Sequence, residues 1–175
     1  MAKSTSSKTS RGASYSKFRQ KTLRDPYISD KGLKEPAICT VCGAIYAKKS
    51  WSFDPKKKAK YEGDSSLLKV VCPADRKIKD DFAMGFVNIK GKFVALHKSD
   101  IINTIKAEGE RVKTKNPEDR IISVKSVPGG ITVKTTSDKL ALKIGKVLKN
   151  SFKGEHQYAF RYGDKHVEVD WIRDA

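Results

Sequence analysis

The clearest pattern of apolar and polar positions lies near the C-terminal end and predicts an amphipathic helix over about 138–152. Its apolar side chains recur at the helical period and share one face; they are Leu140, Ala141, Ile144, Val147 and Leu148. Ser137 is the expected N-cap and Gly154 the expected end of the helix. A second amphipathic helix is predicted over about 100–114, where Asn116-Pro117 stops the pattern.

Short apolar and β-branched runs predict the strands of the same domain. Two of them, 120–127 and 131–136, flank Pro128-Gly129-Gly130, which is a strong hairpin signal. An apolar run over 86–96, interrupted by Gly91, predicts a further strand or hairpin.

The last two predicted strands, 157–162 and 166–171, bring aromatic and other apolar residues to one face. The first strand contributes Tyr158, Phe160 and Tyr162, and the second contributes Val167, Val169 and Trp171. We expect this to be the core face beneath the two helices, because each helix must bury its apolar stripe against something. The alternative is an exposed platform on which unpaired RNA bases stack.

The order of these elements predicts an α+β fold. A further helix is expected over 73–84, with Phe82 facing inward and Arg76, Lys77 and Lys79 facing solvent. From residue 86 the order β(β)-α-β-β-α-β-β predicts an αβ sandwich of split-βαβ type. The predicted organisation is a disordered basic tail at 1–35, a small module at 36–80 and the αβ domain at 86–173. The module is zinc-ribbon-like in its two motifs, Cys39-x2-Cys42 and Cys72-x2-Asp75.

The net charge of +17 is concentrated in the first third of the chain. Residues 1–60 hold 15 basic and 4 acidic residues, whereas the remainder holds 22 and 16. Such a local excess attracts polyanions, so nucleic acid is the expected partner. An anionic membrane is disfavoured because the basic segments have no apolar face to insert.

The N-terminal segment is predicted to be disordered alone and to contact RNA phosphates. Its basic residues are Lys3, Lys8, Arg11, Lys17, Arg19, Lys21 and Arg24, and no acid interrupts them. The alternative is a tail that only confers solubility.

All three cysteines lie in two short motifs with the spacing of metal knuckles. Cys39-x2-Cys42-Gly43 is a tight turn, and Cys72-Pro-x-Asp75 repeats the spacing with an aspartate in the fourth position. The set predicts a structural zinc site, since a carboxylate oxygen also ligates zinc. A degenerate module that folds without metal is the alternative.

Lysines in two other places are candidate phosphate ligands. Between the two cysteine motifs lie Lys48, Lys49, Lys56, Lys57, Lys58 and Lys60. Trp51 in this loop is either an RNA contact or, like Phe53, packing for the metal site. The polar face of the last predicted helix carries Lys139, Lys143 and Lys146, which form either a phosphate-binding stripe or a solvated face.

Enzymatic signals are weak. The sequence has no nucleotide-binding glycine loop, no Gly-x-Ser-x-Gly and no His-Glu-x-x-His. His97, His156 and His166 are isolated from one another. We therefore expect a non-enzyme without a small-molecule substrate. Lacking an apolar leader or membrane-length run, it is expected to be cytoplasmic, with reduced or metal-bound thiols.

With these motifs in view, the chain resembles a family of small bacterial proteins with a basic N-terminal segment and paired cysteine motifs. The likeness covers about 36–173 and includes the stretch 78–93, Arg120-Ile-Ile and the stretch 135–145. That family is distantly similar to the zinc-ribbon N-terminal region of the large ribosomal subunit export adaptor of eukaryotes and archaea. The resemblance implies association with the ribosome, and Asp75 departs from the family's fourth cysteine.

The sequence thus predicts a ribosome-associated factor that binds ribosomal RNA, with ribosomal proteins as further partners. Roles in hibernation, assembly and quality control all remain open. The alternatives are a DNA-binding transcriptional regulator and a nuclease or other RNA-processing enzyme.

Overall fold

The computed structural model describes residues 25–29, 32–61, 63–161 and 166–175. Within these ranges the chain forms nine strands in two mixed sheets, together with five helices. The predicted α+β class is confirmed. All the basic tail residues from Lys3 to Arg24 lie outside the described residues.

The first sheet is small and built from short strands. Its strands are β1 (Ala37–Cys39), β2 (Ile45–Ala47), β3 (Ser50–Ser52) and β4 (Leu68–Val70). Their order is β3-β2-β1-β4, with β1 antiparallel to β2 and parallel to β4. Helix α1 (Pro55–Tyr61) connects β3 to β4, and helix α2 (Pro73–Lys79) follows β4.

The predicted solvent position of Lys77 is wrong. Its side chain is buried, and its ammonium group donates to the Asp25 carboxylate and, over 3.1 Å, to the Thr136 carbonyl. The Met84 sulfur lies 3.0 Å from the same group, so three parts of the chain contact this one cation and allow a lysine to be buried. Helix α2 also ends at Lys79, earlier than predicted, because Asp81 adopts a left-handed φ of 51°.

The last part of the segment predicted to be disordered, 1–35, has defined contacts where the structure describes it. Residues 25–29 and 32–35 pack against the folded chain: Tyr27 lies 5.1 Å from Phe82, and Leu33 packs against the buried cysteines. These apolar contacts, together with the Asp25–Lys77 ion pair, order a segment whose composition alone suggested disorder.

The second sheet has five strands in the order β6-β7-β5-β9-β8. The strands are β5 (Gly85–Lys90), β6 (Ile121–Val127), β7 (Gly130–Thr135), β8 (Glu155–Phe160) and β9 (Val167–Ile172). The helices are α3 (Lys92–Leu96), α4 (Lys98–Lys115) and α5 (Asp138–Phe152). Strand β5 is parallel to β9 and antiparallel to β7.

One core joins this sheet to the long helices. Alternating residues of β5, β7 and β9 share it with the apolar stripes of α4 and α5. Ser137 caps α5 as predicted, accepting a hydrogen bond from the Leu140 N–H. Among the helices of the described chain, none combines the length and apolar character that a bilayer span requires.

Two expectations about this domain are wrong. Residues 92–96 form helix α3 and no second strand; Gly91, with a φ of 111°, ends β5, and Val94 reaches the core from the helix. A short apolar run does not distinguish the two structures. In β8, Tyr158 and Phe160 are 58% and 51% exposed, so they are not core residues, while Tyr162 lies outside the described residues.

Candidate metal centre and lysine surface

The first cysteine pair sits in a tight turn at the end of β1. Cys39 is the last residue of the strand, and its carbonyl accepts a hydrogen bond from the Gly43 N–H over 2.9 Å. Gly43 has a φ of 73°, a conformation that glycine adopts without strain. The turn therefore directs the Cys39 and Cys42 side chains to the same point.

The second pair lies at the start of helix α2. Cys72 is the N-cap, its sulfur accepting from the Asp75 N–H over 3.4 Å, and Asp75 is in the first turn. The module thus combines one turn with one helix start, where Pro73 occupies the beginning of the helix. The Cys72 N–H in turn donates to the Cys39 sulfur over 3.3 Å.

The four side chains converge. Their candidate ligand atoms, three sulfurs and one carboxylate oxygen, all lie within 4.8 Å of one another. Asp75 Oδ2 accepts from the Cys39 thiol at 3.0 Å and from the Cys72 thiol at 3.1 Å. The sulfurs of Cys42 and Cys72 are 3.8 Å apart. The sequence spacing therefore identified a possible metal site.

The distances suit a tetrahedral ion. Zinc bound at about 2.3 Å from each sulfur separates two sulfurs by about 3.8 Å, as seen for Cys42 and Cys72. The two oxygen–sulfur distances, 3.0 and 3.1 Å, would need to widen by a few tenths of an ångström. With all four positions taken by protein atoms, such a site would be closed, as structural zinc sites are.

Arg120, which the sequence did not single out, completes the cluster. Its guanidinium donates to Asp75 Oδ1 over 2.8 Å, and both side chains are almost fully buried. Its Nε donates to the Pro117 carbonyl over 2.8 Å, which fixes the plane of the group. Its Nη2 also lies 3.4 Å from Asp75 Oδ2 and 3.9 Å from the Cys72 sulfur, so Arg120 contacts both carboxylate oxygens while Oδ2 accepts from the thiols. Arg120 thus orients the carboxylate toward the cysteines, a role typical of the groups behind metal ligands.

The electrostatics follow from this arrangement. Burial opposes ionisation of Asp75, but the thiols that donate to it and the Arg120 charge outweigh burial and hold the pKa of this carboxyl below its ordinary value. Burial raises the pKa of the Cys72 thiol and that of the Cys42 thiol. A metal ion would have to displace the thiol protons, so its affinity should fall as the pH falls.

The aromatic residues of the module pack against this cluster. Trp51 is only 7% exposed, lies 5.2 Å from Tyr46, and belongs to the same apolar core as Cys39 and Cys72. A ring this buried favours the packing role of Trp51 over a contact with RNA, which stays a prediction.

The six lysines of the loop occupy a hairpin turn and a helix. We call Lys48, Lys49, Lys56, Lys57, Lys58 and Lys60 the lysine finger. Lys48 and Lys49 form the two-residue turn between β2 and β3, with φ values of 55° and 57°. The Glu35 carboxylate accepts a hydrogen bond from each of their backbone N–H groups, both at 2.7 Å. The ammonium groups are left to project outward.

Helix α1 carries the other four finger lysines. None of its described residues is buried, and its first turn contains no acid. In the described part of the chain, no finger lysine forms an ion pair, whereas Lys77, Lys113, Lys134 and Lys143 each do. Among the described residues the finger is thus a surface of six lysines without an ion-pair partner, although the Glu35 and Asp54 carboxylates accept from its backbone.

The stripe on α5 is less uniform than predicted. Lys139 and Lys146 are exposed, but Lys143 lies 3.7 Å from the buried Glu108 carboxylate of α4. Lys143 therefore has a partner inside the fold, while Lys139 and Lys146 remain available to other molecules.

Comparison with models of known protein families found no match to this sequence, and comparison with curated proteins found none either. The resemblance to the small bacterial family therefore stays a prediction.

The Asp75–Arg120 pair gives a prediction on stability. Arg120→Met should lower the free energy of unfolding by about 3 kcal/mol, because it leaves a buried carboxylate without its cation. The same substitution in an Asp75→Cys background should cost clearly less, since the carboxylate is gone. Urea unfolding of the four proteins measures this coupling, and equal costs in both backgrounds would contradict it.

Proposed function

We propose that this protein is a non-enzymatic RNA-binding factor of the ribosome, which grips ribosomal RNA phosphates with the lysine finger and the basic N-terminal segment. The observation that carries the proposal is the finger itself: six lysines without ion-pair partners in the described chain, presented on a turn and a helix. Binding of RNA to such a surface would be favoured, because it releases the counterions condensed on the RNA phosphates.

The finger is costly to maintain, which supports a functional role. Left-handed backbone at two lysines costs about 1 kcal/mol or more each. Helix α1 buries none of its described residues, and Lys56 and Lys60 stand four residues apart, where like charges repel. Isolated short helices are unstable in water. A phosphate backbone would offset these costs, because it supplies the missing counter-charge.

The cysteine cluster supports the proposal as a scaffold. We propose that Cys39, Cys42, Cys72 and Asp75 hold one zinc ion of structural role. Strands of three residues bury little surface, so a metal or an equivalent cross-link is needed to fix the turn and α1 beside them. A closed ligand set without a vacant position argues for structure over catalysis.

Zinc content tests the scaffold. Native mass spectrometry should find one zinc per chain, and Asp75→Cys should keep zinc at higher chelator concentrations, because thiolate is the softer ligand. Cys72→Ser should lose the metal. A wild type that stays metal-free in zinc-supplemented cells, beside a zinc-loaded Asp75→Cys, would instead establish the metal-free version of the module.

The finger is tested with charge-matched variants. Lys56→Gln/Lys58→Gln/Lys60→Gln should reduce cosedimentation with bacterial ribosomes and lower the salt slope of ribosomal RNA binding by about two units. The control Lys92→Gln/Lys98→Gln/Lys106→Gln removes three exposed charges elsewhere and should change both far less. Equal losses in the finger variant and the control would show that the finger acts only through the overall positive charge of the protein. Preferential binding of duplex DNA would favour the regulator, and degradation of the RNA would favour the nuclease.

Substitutions in the turn between β2 and β3 are expected to raise the stability of the protein and to lower its affinity for RNA. Lys48→Asn/Lys49→Gly places the residues that favour two-residue turns of this hand at 48 and 49. We expect the free energy of unfolding to rise by about 1–2 kcal/mol while RNA affinity falls. Urea unfolding and RNA titration measure the two effects. A stabilised variant that binds RNA as well as the wild type would show that the turn lysines are not ligands.

A further inference from the structure

A row of aromatic side chains lies exposed along the edge strand β8. Tyr158 and Phe160 are 58% and 51% exposed, with ring centres 6.1 Å apart. His156 precedes them, its ring centre 6.1 Å from that of Tyr158. Two large rings left this open on an edge strand contribute little to the core, so their exposure calls for another explanation.

The row points to the helix side of the sheet. Tyr158 pairs with Val169 and Phe160 with Val167, and directly opposed residues of antiparallel strands share a face. Helix α5 packs on β9 and also contacts β8, at His156. A Cβ on Gly145 would come within 2.5 Å of the His156 ring and 2.6 Å of Val169. Within the part of the chain that the structure describes, Tyr158 and Phe160 on this face stay more than half exposed.

Lysines of α5 border the open face. With about 100° between successive residues, Lys149 lies about 40° around the helix from Gly145, and Lys146 about 60° further; both are exposed. The charge of Lys149 also acts on His156, whose pKa is lowered by burial and then by this lysine. Along α5 and β8 the only acids are Asp138 and Glu155, each the first residue of its element.

We propose that Tyr158, Phe160, Lys146 and Lys149 form a second RNA-binding surface, the β8 platform, which takes unpaired nucleotides. The two rings stack on bases, and the two ammonium groups contact the adjoining phosphates. The assignment rests on the proposed function, since it names the kind of RNA segment that one part of the protein takes.

The positive charge beside β8 favours RNA over a second copy of the chain as the binding partner of the platform. The edge of β8 is also open to pairing with another strand, but a second copy would bring the same lysines against each other, in a protein of net charge +17. A polyanion complements the lysines and supplies flat bases for the rings. Single strands are favoured over duplexes because paired bases are already stacked and shielded from side chains.

Fluorescence anisotropy with a labelled ten-nucleotide RNA, single-stranded or annealed to its complement, tests the platform in the full chain. Tyr158→Ala/Phe160→Ala should bind the single strand about fivefold more weakly, or worse, with an unchanged salt slope. Lys146→Gln/Lys149→Gln should instead lower the slope by about 1.4. Tyr158→Phe/Phe160→Tyr, which keeps both rings, should bind as the wild type does.

Ile172→Ala is the matched control. Ile172 is 42% exposed and alternates to the opposite face of the neighbouring strand. Its removal should leave RNA affinity unchanged. Both aromatic positions are exposed, so the double variant should keep its melting temperature, which circular dichroism verifies.

Three outcomes overturn the platform. They are wild-type affinity of Tyr158→Ala/Phe160→Ala for the single strand, equal losses on single strand and duplex, and concentration-dependent dimers abolished by this variant without loss of RNA binding. If any of these occurs while the lysine-finger variant still loses ribosome binding, the platform fails and the proposed function stands. If the wild type binds neither RNA nor ribosomes, both the β8 platform and the proposed function are wrong.

Discussion

The ion pair between Asp75 and Arg120 connects the chemistry of the cysteine cluster to the rest of the protein. Asp75 stands in the first turn of α2, and Arg120 directly precedes β6 in the larger sheet. Burying either charge alone would be unfavourable, so each depends on the other. A cluster of four cysteines would need no such partner. The aspartate therefore makes a local site depend on a residue 45 positions further along the chain.

Much of the larger domain follows from local patterns. The helix over Asp138–Phe152 and the hairpin of β6 and β7 were predictable because period, caps and turn residues agree there. The exposure of Tyr158 was not, because alternation specifies which face a residue shares but not how far the helices extend over that face. Helix α3 was not predicted for a different reason, since five residues are too few to show a helical period.

The candidate site was likewise predictable from the sequence only in part. Spacing alone pointed to Cys39, Cys42, Cys72 and Asp75, because a three-residue spacing closes each pair locally; the pairing of β1 with β4 then brings the two pairs together. Arg120 could not be chosen among 37 lysines and arginines, although a buried carboxylate in place of a thiolate signals that some cation must lie behind it. The structure also separates the lysines by their surroundings. Lys77 and Lys143 have acidic partners within the fold, while the lysine finger has none among the described residues.

The buried Lys77 links segments that are far apart in sequence. Its ammonium group touches Asp25 ahead of the first sheet and the Thr136 carbonyl just before α5, while its own backbone belongs to α2. Opening α2 would withdraw this cation from both acceptors at the same moment and leave them without their buried partner. The small module is therefore expected to share the cooperativity of the larger domain: its amides should exchange with solvent through the global unfolding event, without an earlier local opening.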